Sequence, residues 1–334
     1  NFIMKKKITL YLHGGFGRVG TTLLQKKIFN NFDKIFSFGK DFSTNNKSFL
    51  YLQQQCFRPE YIELENNLPK NNFYFIEKFS KKIEEIFDMN NYDKFIFSDE
   101  TIFDFFNYNG ERNLLICKEL INNLAHKYEI NLKLILSIRN QSDILISNYA
   151  QEFTRFKKMY GNYENFLNIF LEKQPELGSI FKYDNFYNRL VSLFNCEVHF
   201  FILDNLKKNK SYEIGKIENF LGEKLKKELD FSEKVNANLS KVPSSKLYSL
   251  RSNNIIFYLT KFYSKVGFFQ NPKVKNNLLV MSVKSFFKKI FKKRVSGYVE
   301  NNKENLEKIK SFYLKSNKNL EKIVCEDLNK LDFF

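Results

Sequence analysis

The stretch Tyr11-Leu12-His13-Gly14-Gly15-Phe16-Gly17-Arg18-Val19-Gly20-Thr21-Thr22-Leu23-Leu24-Gln25 decides how this chain is read. Ile8 to Leu12 is a short apolar run of the kind that forms a buried strand, and a helical pattern runs from Thr21 to about Phe29. Between them lies a glycine-rich turn, Gly14 to Gly20. Glycines let backbone N–H groups turn inward on an anion, and the N-terminus of the following helix adds the positive end of its dipole. Thr21 and Thr22 can donate hydroxyl hydrogen bonds at that terminus, and Arg18 can supply a charge. An ordinary glycine turn with threonine caps is the plainer reading. Strand, glycine loop, basic residue, two threonines and helix in that order favour a phosphate-binding loop.

Outward from this loop, strand-length apolar runs alternate with helical patterns. Strands are expected at Lys34 to Phe38, Lys94 to Ser98, Leu132 to Ile138 and Glu197 to Leu203. Helices are expected at Ile76 to Phe87, Asn113 to Tyr128 and, as one long element, Ser142 to Lys158. This predicts an α/β fold with a mostly parallel central sheet flanked by helices, in the manner of P-loop nucleotide-binding proteins. Residues 40 to 75 are irregular and rich in Asn, Gln and aromatics, as in a substrate-side insertion. After Ser211 the pattern is almost entirely helical, strongest at Ser244 to Val266 and Glu304 to Leu328, which predicts a helical C-terminal extension.

The loop departs from that of magnesium-nucleotide enzymes. Gly15 and Gly20 have the spacing of Gly-x-x-x-x-Gly-Lys-Ser/Thr, but Thr21 stands where the lysine belongs. The variant loop approached by His13 to Val19 lacks both lysines and puts Val19 where a magnesium-binding hydroxyl belongs. ATP with magnesium is therefore disfavoured. The stretch resembles instead the 5′-phosphosulfate loop of sulfotransferases, His-x-Gly-x-x-Lys-x-Gly-Thr-Thr-x-Leu-Gln. His13, Gly15, Gly20, Thr21, Thr22, Leu24 and Gln25 match, and Arg18 replaces the family lysine. Arginine keeps the charge but exchanges a point donor for a planar fork.

A second element supports the resemblance. Leu134-Ile135-Leu136-Ser137-Ile138-Arg139-Asn140-Gln141-Ser142-Asp143-Ile144-Leu145-Ile146-Ser147 reads as a strand running into a helix. Arg139 falls at the strand's carboxyl end, where ligand crevices of α/β sheets lie, and Ser147 follows eight residues later. Alone, such an arginine could equally form a surface ion pair. The pair is similar to the family's 3′-phosphate element. The resemblance implies a cosubstrate, 3′-phosphoadenosine-5′-phosphosulfate (PAPS), with 3′-phosphoadenosine-5′-phosphate as product. It implies that Gly15, Gly17, Arg18, Val19, Gly20, Thr21 and Thr22 hold the 5′ end and Arg139 with Ser147 the 3′-phosphate. Phe201 to Asn209 and Glu218 to Gly222 resemble the family more weakly, and Ser316-Asn317-Lys318-Asn319-Leu320 is similar to a segment of bacterial glycan-sulfating members. Arg251 is a guess for a C-terminal basic contact to the 3′-phosphate. The implied division is a PAPS-binding domain over residues 5–235 and a helical region over 236–334 packing on it.

Sulfuryl transfer proceeds by in-line attack, so positioning and electrostatics dominate and the chemistry requires no metal. A base for the acceptor hydroxyl is still useful. Related enzymes carry theirs near the end of the strand that here reads Lys94-Phe95-Ile96-Phe97-Ser98-Asp99-Glu100, which nominates Glu100 as catalytic base, Asp99 second, and Arg18 as a catalytic charge. Asp99 as a helix cap and Glu100 as a solvated carboxylate are the structural alternatives. The same string also resembles the strand of a nucleotide hydrolase with Asp-Glu after it, leaving a P-loop kinase or ATPase as the first alternative function. His13 belongs to the loop, while His126 and His199 read as structural.

The chain has 334 residues, a net charge of +17 and a pI near 9.4. Such basicity raises nucleic acid or a membrane as partner of a non-enzymatic binding module. Lys, Asn, Phe and Ile are all overused and Trp is absent, the mark of an AT-rich genome, and the lysines are dispersed. An anionic small ligand and a glycan or glycolipid acceptor fit better than nucleic acid. Cys56, Cys117, Cys196 and Cys325 are widely spaced, without zinc or disulfide-framework spacing. No apolar run has membrane-span length, and Asn1 to Lys7 leads straight into a strand without a cleavage site. A cytoplasmic enzyme is expected. The alternating aromatic and basic run 284–294 suits either a core-packing helix or peripheral contact with the inner membrane.

Overall fold

The computed structural model describes residues 5–39, 46–57, 70–103, 110–227, 247–252 and 294–334. The chain divides into two compact units. The first comprises Asn1–Ile144, Glu176–Val235 and Lys310–Phe334; the second comprises Leu145–Pro175 and Asn236–Ile309.

The first unit is built on a five-stranded parallel sheet. Its strands are β1 (Lys6–Gly15), β2 (Ile35–Gly39), β3 (Lys94–Ser98), β4 (Tyr128–Ile138) and β5 (Glu197–Ile202), in the order β2-β3-β1-β4-β5. β1 sits in the middle, so from Leu10 on it is buried on both faces. The helices between strands are α1 (Thr21–Leu23), α2 (Lys47–Phe57), α3 (Lys70–Met89), α4 (Gly110–Ala125), α5 (Gln141–Gln151), which starts in this unit, then α8 (Pro175–Ser179), α9 (Tyr183–Phe194), α10 (Leu203–Lys208) and α11 (Lys210–Leu221). Lys303–Val324 forms α12, which ends in this unit.

Alternation along the strands sends successive side chains to opposite faces. Tyr11, Ile96, Ile135 and Phe201 pack with Leu24, Ile28, Ile217 and Leu221. On the other face Phe38 stacks on Phe97 at 5.2 Å, Phe49 meets Phe79 at 5.0 Å, and Phe87 meets Phe95 at 4.4 Å. Because all five strands run parallel, their carboxyl ends share one edge. The order reverses at β1, which has β3 on one side and β4 on the other, and such a switch point is where α/β sheets bind ligands.

The expected strands and most helices are present, with differences. The helix after the glycine loop is one α-turn that continues as a π-helix, Leu24–Ile28. Residues 40 to 75 are not wholly irregular, since α2 and the start of α3 fall within them. The expected long helix is interrupted by a turn at Glu152 between α5 and α6 (Phe153–Tyr160).

The second unit holds the rest of α5, then α6, α7 (Tyr163–Asn168), a π-turn at Ile169–Lys173 and an antiparallel pair, β6 (Tyr248–Ser252) with β7 (Arg294–Val299). Its aromatic core joins Tyr149, Phe156, Tyr163, Phe166 and Phe170 at centroid distances of 5.0 to 6.2 Å. These two strands interrupt a C-terminal part expected to be almost entirely helical. Tyr248, Val295, Tyr298 and Val299 are good strand formers, and each strand finds its partner far along the chain, where local periodicity gives no signal. Of the run 284–294 only Arg294 lies within the described residues, as does Arg251 with its backbone in β6. Among the described residues no helix is long and apolar enough to cross a membrane.

Candidate active site

The glycine loop leaves β1 at the sheet's carboxyl edge. Its apolar side chains point inward and fix it. Phe16 packs on Phe181, Tyr183 and Phe186 at 5.1, 5.6 and 5.5 Å, and Val19 is fully buried. Gly15 is obligatory: a Cβ there would stand 2.7 Å from the Ser137 carbonyl oxygen and 2.7 Å from Val19 Cγ2. Gly20 caps α1 at φ +88°, a left-handed conformation that suits glycine. Arg18 also has positive φ, 77°, an unusual conformation for a side-chain-bearing residue. Gly17 and Arg18 are half-buried, Thr21 is buried and Thr22 exposed. The helical run starts on the Gly20 carbonyl, which accepts from the Leu23 and Leu24 N–H groups at 2.9 and 3.2 Å.

Beneath the loop a buried polar chain ties three strands together. His13 Nδ1 lies 2.6 Å from Ser98 Oγ, and His13 Nε2 lies 2.9 Å from Ser137 Oγ. Gln25 donates from Nε2 to Ser98 Oγ at 3.0 Å. Burial pushes the His13 pKa down to about 3, so the ring is neutral and can donate at one nitrogen and accept at the other. The loop residues His13 and Gln25 therefore act as supports. Their partners Ser98 and Ser137 were not singled out in the sequence. Their signal is a small polar residue closing an otherwise apolar strand.

At the end of β3 the two carboxylates separate. Asp99 is buried and caps the 3-10 turn Glu100–Ile102. Its Oδ1 accepts from the Thr101 N–H at 2.9 Å and the Thr101 hydroxyl at 2.8 Å, and its Oδ2 accepts from Gln53 Nε2 at 2.5 Å. Gln53, on α2, is another residue that sequence reading missed. Glu100 is half-buried, and its Oε2 accepts from the Thr21 hydroxyl at 3.4 Å. The capped turn thus brings Glu100 to the first residue of the helix behind the glycine loop.

On the other side of β1, Ser137 pairs with Gly15, which sets Arg139 just beyond the end of β4. The side chain of Arg139 is largely buried. Its guanidinium bonds Asp143, and its Nε lies 3.9 Å from Asp204 Oδ1. Lys207 Nζ stands 3.0 Å from Asp204 Oδ1 and 3.8 Å from Asp143 Oδ2. Two cations and two carboxylates balance at this strand end. Ser147 is buried on α5 within the second unit.

The arrangement gathers the glycine turn, the half-buried Glu100 and the largely buried Arg139 at one sheet edge. Comparison with known proteins identifies the family. A family model described as the sulfotransferase domain matches residues 15–299. No curated protein matches the sequence. Among solved structures, the chain is similar to a sulfotransferase from Alicyclobacillus acidocaldarius, with 11% identity and a TM-score of 0.50, covering 98% of this chain and 99% of that one. It is also similar to the sulfotransferase domain of the Synechococcus PCC 7002 olefin synthase, with 10% identity and a TM-score of 0.33, covering 66% of this chain and 74% of that one.

Proposed function

Because the chain belongs to the sulfotransferase family, we propose that it takes the sulfuryl group of PAPS to a hydroxyl of a glycan or glycolipid. The observation that carries this reading is the meeting of Thr21 with Glu100, 3.4 Å apart, behind the glycine loop.

In this reading the loop holds the 5′ end of the nucleotide: Gly15 lets the turn pack directly on Ser137 and Val19, and Gly17 to Thr22 contribute N–H groups and hydroxyls. Arg18 meets charge that develops on the departing phosphate. When bound, PAPS supplies the sulfuryl group and the phosphate leaving group. Glu100 takes the acceptor's proton as the oxygen–sulfur bond forms and the bond from sulfur to the bridging oxygen breaks. Asp99, engaged by Thr101 and Gln53, holds the turn that carries Glu100.

Arg139 and Ser147 receive the 3′-phosphate in this reading. Arg139 bonds Asp143 and lies near Asp204, so a phosphate must displace carboxylate from the guanidinium to bond it. A phosphate, which forms charge-assisted bonds to the guanidinium, competes for that place better than a neutral ribose hydroxyl does. Residues 5–235 supply the nucleotide site. The enzyme works in the cytoplasm, and the run 284–294 brings it to an anionic membrane surface where a lipid-linked acceptor is presented.

The test is a mass-spectrometric search for sulfated product after incubation with PAPS and a panel of bacterial glycans and glycolipids. Gain of one sulfuryl group, lost with Glu100→Gln, is expected. Transfer only to amines or to no member of a broad hydroxyl panel would overturn the acceptor assignment.

A further inference from the structure

The short segment Arg139-Asn140-Gln141 is held from several sides. The Tyr183 hydroxyl donates to the Arg139 carbonyl at 2.7 Å. Asp204 Oδ2 accepts from the Asn140 N–H at 2.7 Å. Asn140 Oδ1 accepts from the Asp143 N–H at 2.9 Å and from the Ser142 hydroxyl at 2.8 Å.

Gln141 carries the longest connection. Its Nε2 donates to Asn317 Oδ1 at 2.8 Å, and Asn317 Nδ2 donates back to Gln141 Oε1 at 3.2 Å, across 176 residues of sequence. Both side chains are buried. Gln141 also donates to the Phe181 carbonyl at 3.2 Å, and Asn317 to the Phe333 carbonyl at 2.8 Å. Beside Asn317 on α12, Ser316 and Asn319 both donate to Asp184, the neighbour of Tyr183. The polar face of α12 is thus directed at the turn that presents Arg139.

A buried amide pair closed in both directions contributes little net stability compared with apolar packing. What it does is fix the orientation of both partners, because any other arrangement leaves a buried donor or acceptor unmatched. We infer that Asn317 is a positioning residue for the 3′-phosphate end of the nucleotide, setting the Arg139 turn through Gln141. This rests on the reading of Arg139 as the 3′-phosphate ligand, and it gives the segment Ser316 to Leu320 a role in selecting the nucleotide.

The experiment is calorimetry on the full chain with 3′-phosphoadenosine-5′-phosphate and with adenosine-5′-phosphate. The readout is the ratio of the two affinities. Asn317→Ala should lower that ratio by about fivefold or more. The swap Gln141→Asn with Asn317→Gln, which restores an amide pair, should recover it. Tyr313→Phe removes another buried bond from the same helix, to the Gly178 carbonyl at 2.8 Å. It should lower the melting temperature and leave the ratio unchanged. If Asn317→Ala does not fold, Asn317→Asp takes its place. An Asn317→Ala (or Asn317→Asp) protein that keeps the wild-type ratio, or Tyr313→Phe losing as much of it, overturns the inference alone. A wild-type protein with no preference between the two nucleotides overturns the reading of Arg139 and the inference with it.

Discussion

The Thr21 hydroxyl lies 3.4 Å from Glu100 Oε2. Thr21 opens the helix behind β1, and Glu100 opens the turn behind β3. The two meet because β1 and β3 are adjacent parallel strands with His13 in register with Ser98. A hydroxyl beside the proposed phosphosulfate loop and a carboxylate on the proposed acceptor side are thereby held together without a shared loop.

Glu100→Gln should cut turnover by roughly a hundredfold to ten-thousandfold, the range for loss of a general base, with little change in nucleotide affinity. Asp99→Ala should act through the fold, costing about 0.5–2 kcal/mol as a lost cap. Steady-state kinetics with isothermal titration, alongside urea unfolding, separates the two. Equal turnover for Glu100→Gln and wild type would remove Glu100 from the chemistry.

Gly15→Ala should damage loop and fold together. The added methyl meets backbone at 2.7 Å, and backbone gives way less readily than a flexible side chain. A stability loss of about 1–3 kcal/mol is expected from such overpacking, with nucleotide binding weakened as the loop shifts. A variant with wild-type melting temperature and affinity would contradict the loop geometry.

Arg18→Ala and Thr21→Ala should each lower turnover more than they weaken binding, since the proposed mechanism sets both groups against charge that grows only as the leaving group departs. Arg18→Lys should retain much of the activity because it keeps the charge. Wild-type turnover in Arg18→Ala would show that position 18 has no electrostatic part.

The pieces legible in the sequence are those whose signal is local. The glycine loop, the strand at Lys94 to Ser98 with its two carboxylates, and the strand ending at Arg139 each declare themselves within about fifteen residues. What was illegible depends on distant partners. Nothing near Ser98 or Ser137 says that one histidine joins them. Gln53 meets Asp99 across 46 residues, and Gln141 meets Asn317 across 176. The segments 248–252 and 294–299 read as helical surroundings because a strand's partner has no trace in its own periodicity. The turn at Glu152, likewise, has no glycine or proline to mark it.

Acid should destabilise the protein in a window set by two histidines, the buried His13 and the half-buried His199. Burial lowers the pKa of His13 and of His199 to about 3, against 6.5 when exposed. As pH falls, the unfolded chain takes up these protons before the folded one does. Their contribution is therefore complete above pH 6.5 and is lost progressively toward pH 3, at about 1.4 kcal/mol per pH unit for each ring. His199 stacks on Phe220 at 4.9 Å, so His199→Phe tests the claim with an aromatic in place. Urea unfolding at pH 7 and pH 5 should show a smaller loss for the variant by about 2 kcal/mol. Parallel losses would show that the fold does not hold His199 neutral.

Calorimetric titration with 3′-phosphoadenosine-5′-phosphate, set against adenosine-5′-phosphate and magnesium-ATP, tests the central claim most directly. Arg139 sits largely buried at the end of β4, next to the strand that carries the glycine loop. Charge-assisted contacts from such a group should make the 3′-phosphorylated nucleotide bind more than about tenfold tighter, a preference lost in Arg139→Ala while the fold is kept. Equal affinity for the two adenosine nucleotides, or tighter binding of magnesium-ATP, would contradict the assignment of this chain as a PAPS-dependent enzyme.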